Sequence, residues 1–455
     1  MTLGLFVPVL AALLANGGPE PCGQGIPTFE TGLAATAFRH VATNGSNATG
    51  NGTQGAPYAT IAFAAGRAGP GTAIRVHPGT YAGGGAIATL HGTAAAPIWI
   101  GGVPGQPRPV LHGGANGLQL VGPRYVVLHD LEVRNATGNG INCDDGGQVA
   151  NPEAARFLVC RGLFIHDIGG TGNQDGLKLS GINDFHVLDC VIERTGGGGS
   201  GSGVDMVGCH RGVIARCGFK DMSANAVQAK GGSEDVEVRW CRIEKGGGRG
   251  VNIGGSTGFE FFRPPLSAAT PNTEARNIRV VANLFIGGDT PVAFVGCVDS
   301  LVANNTIITP NTWLLRVLQE TVTEGGFTFL ACGNNRFENN LVYYSRSELS
   351  TPVNIGGNTA AATFQFAHNL WYAWDNPALS QPTLPVPEVN GVVALDPSLL
   401  DPGTGQFAIG ENSPAAGAGR HPAGAAGDFV GACYRSPPSI GAYEHADARA
   451  TRTPR

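Results

Sequence analysis

Five short stretches decide how this chain folds: GLKLSG from Gly176, GVDMVG from Gly203, AVQAKG from Ala226, GVNIGG from Gly250 and PVAFVG from Pro291. They are versions of one strand, with apolar residues at every second position and small residues at the ends. A second strand accompanies them: FHVLDCVI from Phe185, GVIARCGF from Gly212, DVEVRWCRI from Asp235 and NIRVVANLF from Asn277. Further copies read YVVLHDLEV from Tyr125, LVANNTI from Leu301, RFENNLV from Arg336 and FAHNLWY from Phe366. Cys190, Cys217 and Cys241 mark the repeat at intervals of 27 and 24 residues. A period in the twenties with two or three strands per period is the pattern of a β-solenoid. One coil alone cannot pair its backbone or cover its apolar face. Stacking coils at about 4.8 Å does both. The expected fold is therefore all-β, a single-stranded right-handed parallel β-helix with an N-terminal helical cap, right-handed because parallel crossovers nearly always are.

Composition agrees. Length alone would allow several domains, but 71 of 455 residues are glycine and only 14% are charged, which suits short strands separated by turns. A net charge of −5 without a basic stripe excludes nucleic acid as a partner. The apolar run LGLFVPVLAALLA from Leu3 to Ala15, followed by NGGPEPCG, reads as a secretory signal over residues 1–20, so the chain is expected to be secreted, extracellular or periplasmic. No later segment is long and apolar enough to span a membrane. The expected organisation continues with a capping module over 35–98, the β-helix over 99–395, a tail over 396–445 on the last coils, and a disordered end over 446–455. A monomer is expected.

Stacking puts like residues in columns. Leu177, Val204, Val227, Val251 and Val292 should form one inward column, and Leu179, Met206, Ala229, Ile253 and Phe294 the next. The outward columns then read Asn142, Lys178, Asp205, Gln228, Asn252, Ala293 and Asp144, Ser180, Val207, Lys230, Gly254, Val295, with Asp175, Ser202, Asn225 and Arg249 at the leading turn. Polarity is expected to stop at Ala293 and Val295. At another turn Cys190, Cys217, Cys241, Asn283, Asn305, Asn340 and Asn369 align, and this column resembles the asparagine ladder of pectate-lyase-like β-helices. The three stacked thiols suit buried small side chains better than a metal or redox site. With ten cysteines in an exported chain, one or two disulfides are expected elsewhere. Insertions after Cys143 and after Ser256 leave the same strand and should wall a groove, with Phe261 and Arg263 offered to sugar rings or folded onto the helix.

The stretch from His40 to Tyr81, including APYATIAF, resembles the N-terminal module of bacterial secreted β-helix proteins, with a capping helix over Tyr58–Arg67. The run from Asp396 (DPSLL, ENSPAAGAG, DFVGACYR, SIGAYE) resembles the tail of the same proteins. The central AKGGSEDVEVRWCRIEKGGGRGVNIGGSTG from Ala229 resembles the chondroitinase-B and alginate-lyase family. That resemblance implies β-elimination of a uronic-acid polymer, with Lys230 in the place of the base. The family's supporting arginine has no match, its position being Gly254, with Arg249 and Arg263 nearest. The positions of its calcium-binding glutamates hold Ser223 and Asn225.

Elimination needs a neutralised uronate carboxylate, a base for the adjacent C–H, and a proton for the leaving oxygen. Lys230 near Arg249 is the candidate base, while Lys178 beside Asp205 stays protonated and reads as a charge clamp. Asp205, Gln228, Asn252, Arg263 and Phe261 are the expected substrate contacts. Asp144, Asp145 and Asp175 are candidate ligands for Ca²⁺. The expected partner is an acidic polysaccharide. Two other readings stand beside the lyase: a glycoside hydrolase using Asp175 and Asp205, and a non-catalytic surface β-helix that binds glycan.

Overall fold

In a computed structural model of the chain the described residues are 22, 25–170, 172–421 and 424–445. The expected signal over 1–20 and end over 446–455 fall outside them. The chain winds through three parallel sheets of 14, 10 and 12 strands. One strand from each makes a coil, as Ser202–Val207, His210–Ala215 and Gly218–Lys220 do. This is the expected parallel β-helix. The five deciding stretches all lie in the 10-stranded sheet, which runs from Gly85–Ala88 to Val353–Ile355 and is called the site sheet below.

Register follows the alternation. Leu177 pairs with Val204, then Val227, Val251 and Val292 in turn, while Leu179 leads through Met206, Ala229 and Ile253 to Phe294. All ten are at most 2% exposed. Burying larger side chains of this kind contributes about 1.5–3 kcal/mol each. The glycines that open and close the stretches have separate causes. A Cβ on Gly203 would stand 2.6 Å from the Ala226 carbonyl oxygen on the next coil. Gly208 turns the chain out of the sheet at φ 60°, where a side chain is strained.

A second corner joins the 14-stranded sheet to the 12-stranded one. From Asp130 to His368 one residue per coil there adopts the left-handed conformation, including Asp189, Arg216, Trp240, Ala282 and Asn304. The next residue is the ladder. Cys241 N donates to Asn283 Oδ1 at 2.8 Å, Asn283 N to Asn305 at 2.9 Å, Asn305 N to Asn340 at 3.0 Å, and Asn340 N to Asn369 at 2.9 Å. Glu388 closes the column by accepting from Asn369 N at 3.0 Å. Above the asparagines the cysteines act as weak versions of the same device. The thiols of Cys190, Cys217 and Cys241 each donate to the carbonyl two residues back, at 3.3 Å. All three are free and buried, and burial pushes the Cys190 and Cys217 thiols well up, as expected of packing residues and not of a reactive site.

At the N-terminal end the helix spans Ile61–Ala65, shorter than Tyr58–Arg67 because Thr60 caps it, accepting from Phe63 N, and Gly66 ends it. Its Ile61, Ala64 and Ala65 are buried. At the other end the chain turns back along the outside of the coils. Asn339 Nδ2 donates to the Arg420 carbonyl at 2.9 Å, and Trp240 Nε1 to that of Gly427 at 3.0 Å. A disulfide between Cys22 and Cys433 ties the two ends of the chain together.

Candidate functional site

The outward face of the site sheet carries the columns in the expected register: Asn142, Lys178, Asp205, Gln228, Asn252 and Ala293 pair in that order. Strand pleating alone therefore sets Lys178 beside Asp205. Lys230, two residues beyond Gln228, reaches back to the same place. Lys178 Nζ contacts Asp205 Oδ2, and Lys230 Nζ lies 3.5 Å from that same oxygen. Both lysine side chains are 15% exposed, whereas Asp205 and Asp175 are fully buried beneath them. One hidden carboxylate thus anchors two ammonium groups at the surface.

Asp175 completes the cluster from the leading turn. Its Oδ1 accepts from Ser202 N at 2.7 Å. Its Oδ2 has only the Lys178 ammonium, a charge contact at 3.4 Å without hydrogen-bond alignment. Burial, and then the negative charge of Asp205, push the Asp175 carboxyl up to about 6. Burial works against the Lys178 ammonium, but Asp205 and Asp175 outweigh it and hold its pKa above the ordinary value. Lys178 is therefore a fixed cation. The raised value at Asp175 makes a prediction. A proton bound more tightly in the folded state stabilises it fully below the ordinary value of 3.8, and that stabilisation is lost as pH rises through about 6. Asp175→Asn should remove the loss and make the protein more stable than wild type at pH 7, by about 1–3 kcal/mol, with the gap closing below pH ~4. Equal melting temperatures at pH 7 would contradict this.

The remaining expected residues divide. Gln228 is buried, its Oε1 accepting from Asn225 Nδ2 at 3.2 Å. Asn252 is buried too, and its Oδ1 accepts from Arg249 Nη1 at 3.2 Å. Arg249 continues to Glu320, Nη2 to Oε1 at 2.6 Å, so its guanidinium is engaged by a carboxylate. Arg263 is drawn off altogether. Its guanidinium grips both oxygens of Asp145, at 2.7 and 3.0 Å, and donates to the Phe261 carbonyl at 2.7 Å. This buried pair joins the two insertions and lays the second across the turn, where a Cβ on Gly208 would stand 2.4 Å from that of Arg263. The phenylalanines split as well. Phe259 and Phe262 pack with Phe327 and Phe329, while Phe261 is 52% exposed and faces solvent.

The three aspartates proposed for calcium do not fit a common ion. Asp145 is taken by Arg263, and Asp144 accepts from Gln119 Nε2 at 2.5 Å, Asn142 Nδ2 at 2.9 Å and Gly146 N at 2.9 Å. Asp175 faces Lys178 and Ser202. Among the described residues no three His, Cys, Asp or Glu side chains are grouped as a metal would require.

Some site residues were not found from sequence. Polarity does not stop at Ala293: the next strand, Leu315–Leu318, places Arg316 beside it and Asn354 beyond. The signal was present, Leu315 and Val317 inward around an outward Arg316, but no glycine flanks the strand. Glu274 is a fully buried hub under the second insertion. It accepts from Gly231 N at 2.9 Å, Thr257 N at 2.9 Å and Thr257 Oγ1 at 2.7 Å, and also from Thr321 Oγ1. It fixes the chain just after Lys230. A groove of about 760 Å³ opens elsewhere, at the glycine-rich turn bearing Ser223, Lys245, Asp289 and Trp374.

No protein-family model matches the chain, and no curated protein matches its sequence. Among solved structures it is similar to pectate lyase Pel9A, at 17% identity over 91% of this chain and 98% of that one, with a TM-score of 0.57. An alginate lyase from Paenibacillus sp. str. FPU-7 matches at 17% identity, covering 71% of this chain and 99% of that one, TM-score 0.45. XylC in complex with xylose matches at 12% identity, covering 80% and 87%, TM-score 0.47. Three parallel sheets built from stacked coils, an asparagine ladder at the corner and the likeness to pectate lyase Pel9A show that the chain has the parallel β-helix fold.

Proposed function

We propose that the site sheet binds an acidic polysaccharide and that the protein cleaves it by β-elimination at a uronate unit, with Lys230 as base. The observation that supports this is that two lysine side chains, Lys178 and Lys230, meet at one buried oxygen of Asp205, so that one can neutralise the sugar carboxylate while the other lies beside it. Lys178, kept charged by two carboxylates, suits the sugar carboxylate: neutralising that group acidifies the neighbouring C5–H. Lys230 in its amine form takes the C5 proton. The C–H electron pair becomes the C4–C5 double bond as the C4–O4 bond breaks. The Lys230 ammonium then returns its proton to the departing O4, which leaves the amine ready for another cycle.

Asp175 and Asp205 lie behind the lysines, which argues against their use as acid and base toward a sugar ring. A substrate of this kind and the Cys22–Cys433 disulfide both fit a location outside the cytoplasm, secreted or periplasmic.

The test is a panel of uronate polymers followed by near-ultraviolet absorbance of the unsaturated product and by new reducing ends. Wild type should yield both. Lys230→Ala should slow product formation about 10²–10⁴-fold with only a small change in melting temperature, because Lys178 still pairs with Asp205. Undiminished cleavage by that variant would remove Lys230 from the role of base. Reducing ends without absorbance would point to hydrolysis, and neither signal, with binding retained, to a glycan-binding β-helix.

A further inference from the structure

Beyond Lys178 its outward column of the site sheet carries one more cation, Arg316, and its surroundings are unusual. Arg316 stands four rungs past Asp205, where the two lysines meet, through Gln228, Asn252 and Ala293, which is about 19 Å along the axis. Among the described residues it has no carboxylate within ion-pairing distance. Its Nε donates to Asn354 Oδ1 at 3.1 Å, and its guanidinium carbon lies 4.1 Å from the centre of the Trp313 ring. The nearby Glu320 is bonded to Arg249 instead, at 2.6 Å. Burial first, and the positive charge of Arg249 second, lower the Arg316 pKa. A guanidinium held over an indole and lacking an ion-paired carboxylate is ready to take a planar anion in two parallel hydrogen bonds.

The spacing gives the anion a source. In a uronan lying along the helix axis, each sugar advances the polymer by roughly the distance between rungs. A carboxylate a few units from the one at Lys178 and Lys230 then falls near Arg316. We propose that Arg316, positioned by Trp313, is a distal subsite for a uronate carboxylate of the same bound polymer. This rests on the proposed function and deepens it: the protein should prefer oligomers long enough to reach both places.

Calorimetric titration with oligogalacturonates and oligomannuronates of two to six units tests this in the Lys230→Ala protein, where cleavage is silenced. The parent should bind more tightly as length grows. Adding Arg316→Ala should weaken binding of the six-unit oligomer at least tenfold and leave the two-unit oligomer within twofold. Arg316→Lys, which keeps the charge but not the fork, should fall between. If the parent gains affinity with length and both Arg316 variants gain it equally, the subsite is overturned while the lysine site stands. If the parent binds no oligomer of either kind, the proposed function falls as well.

Discussion

Replacing Asp205 with alanine will cost about 3–5 kcal/mol of folding stability, the largest single effect expected at the site. Asp205 is fully buried and is the shared counter-charge of Lys178 and Lys230, whose side chains are only 15% exposed. Without it two ammonium groups are left close together in a place that water reaches poorly. The remaining carboxylate, Asp175, touches Lys178 alone at 3.4 Å. The same substitution also withdraws the larger of the two attractions that keep Lys178 charged. Thermal and denaturant melting at pH 7 check this. A loss below about 1 kcal/mol, the range of an exposed ion pair, would show that the cluster is solvated and not anchored.

The corner ladder carries the other large effect. Asn340→Ala should destabilise the protein by about 3–5 kcal/mol, at about 1–3 kcal/mol for each polar group left unpaired. Its Oδ1 accepts from both the backbone and side-chain nitrogens of Asn305, at 3.0 and 2.9 Å. Its Nδ2 donates to the carbonyls of Val302 and Glu338 and to Asn369 Oδ1, all at 3.0 Å. Every one of these groups is buried, so none recovers its bond from solvent. Cys217→Ala, at an equivalent corner, removes a thiol with only weak contacts to two carbonyls at 3.3 and 3.5 Å and should cost about 1 kcal/mol. Equal losses in the two variants would mean that the ladder is packing alone.

What could be read from sequence was what neighbouring coils dictate. The period-two alternation of GLKLSG and GVDMVG places Leu177 on Val204 and Lys178 on Asp205 without knowledge of any loop. The ladder column followed from the same stacking. Contacts between segments far apart in sequence left no such pattern. Arg263 meets Asp145 across 118 residues, and nothing in either insertion reveals that its charge is spent on the other. From sequence Arg263 reads as a substrate contact and Asp145 as a calcium ligand, because an isolated charge in a loop carries no mark of its partner. Arg249 likewise pairs with Glu320, 71 residues on, in a stretch between Leu318 and Arg336 that carries no strand of the repeat. Glu388 closes the ladder from a proline-rich loop with no repeat of its own.

The most direct measurement is a structure of the Lys230→Ala protein with a bound uronate tetrasaccharide. One sugar carboxylate should lie within hydrogen-bonding distance of Lys178 Nζ, with the adjacent C5–H turned toward position 230 and the chain running along the site sheet toward Arg316. An oligosaccharide seated instead at the Trp374 turn, or on another sheet, would contradict the assignment of this face.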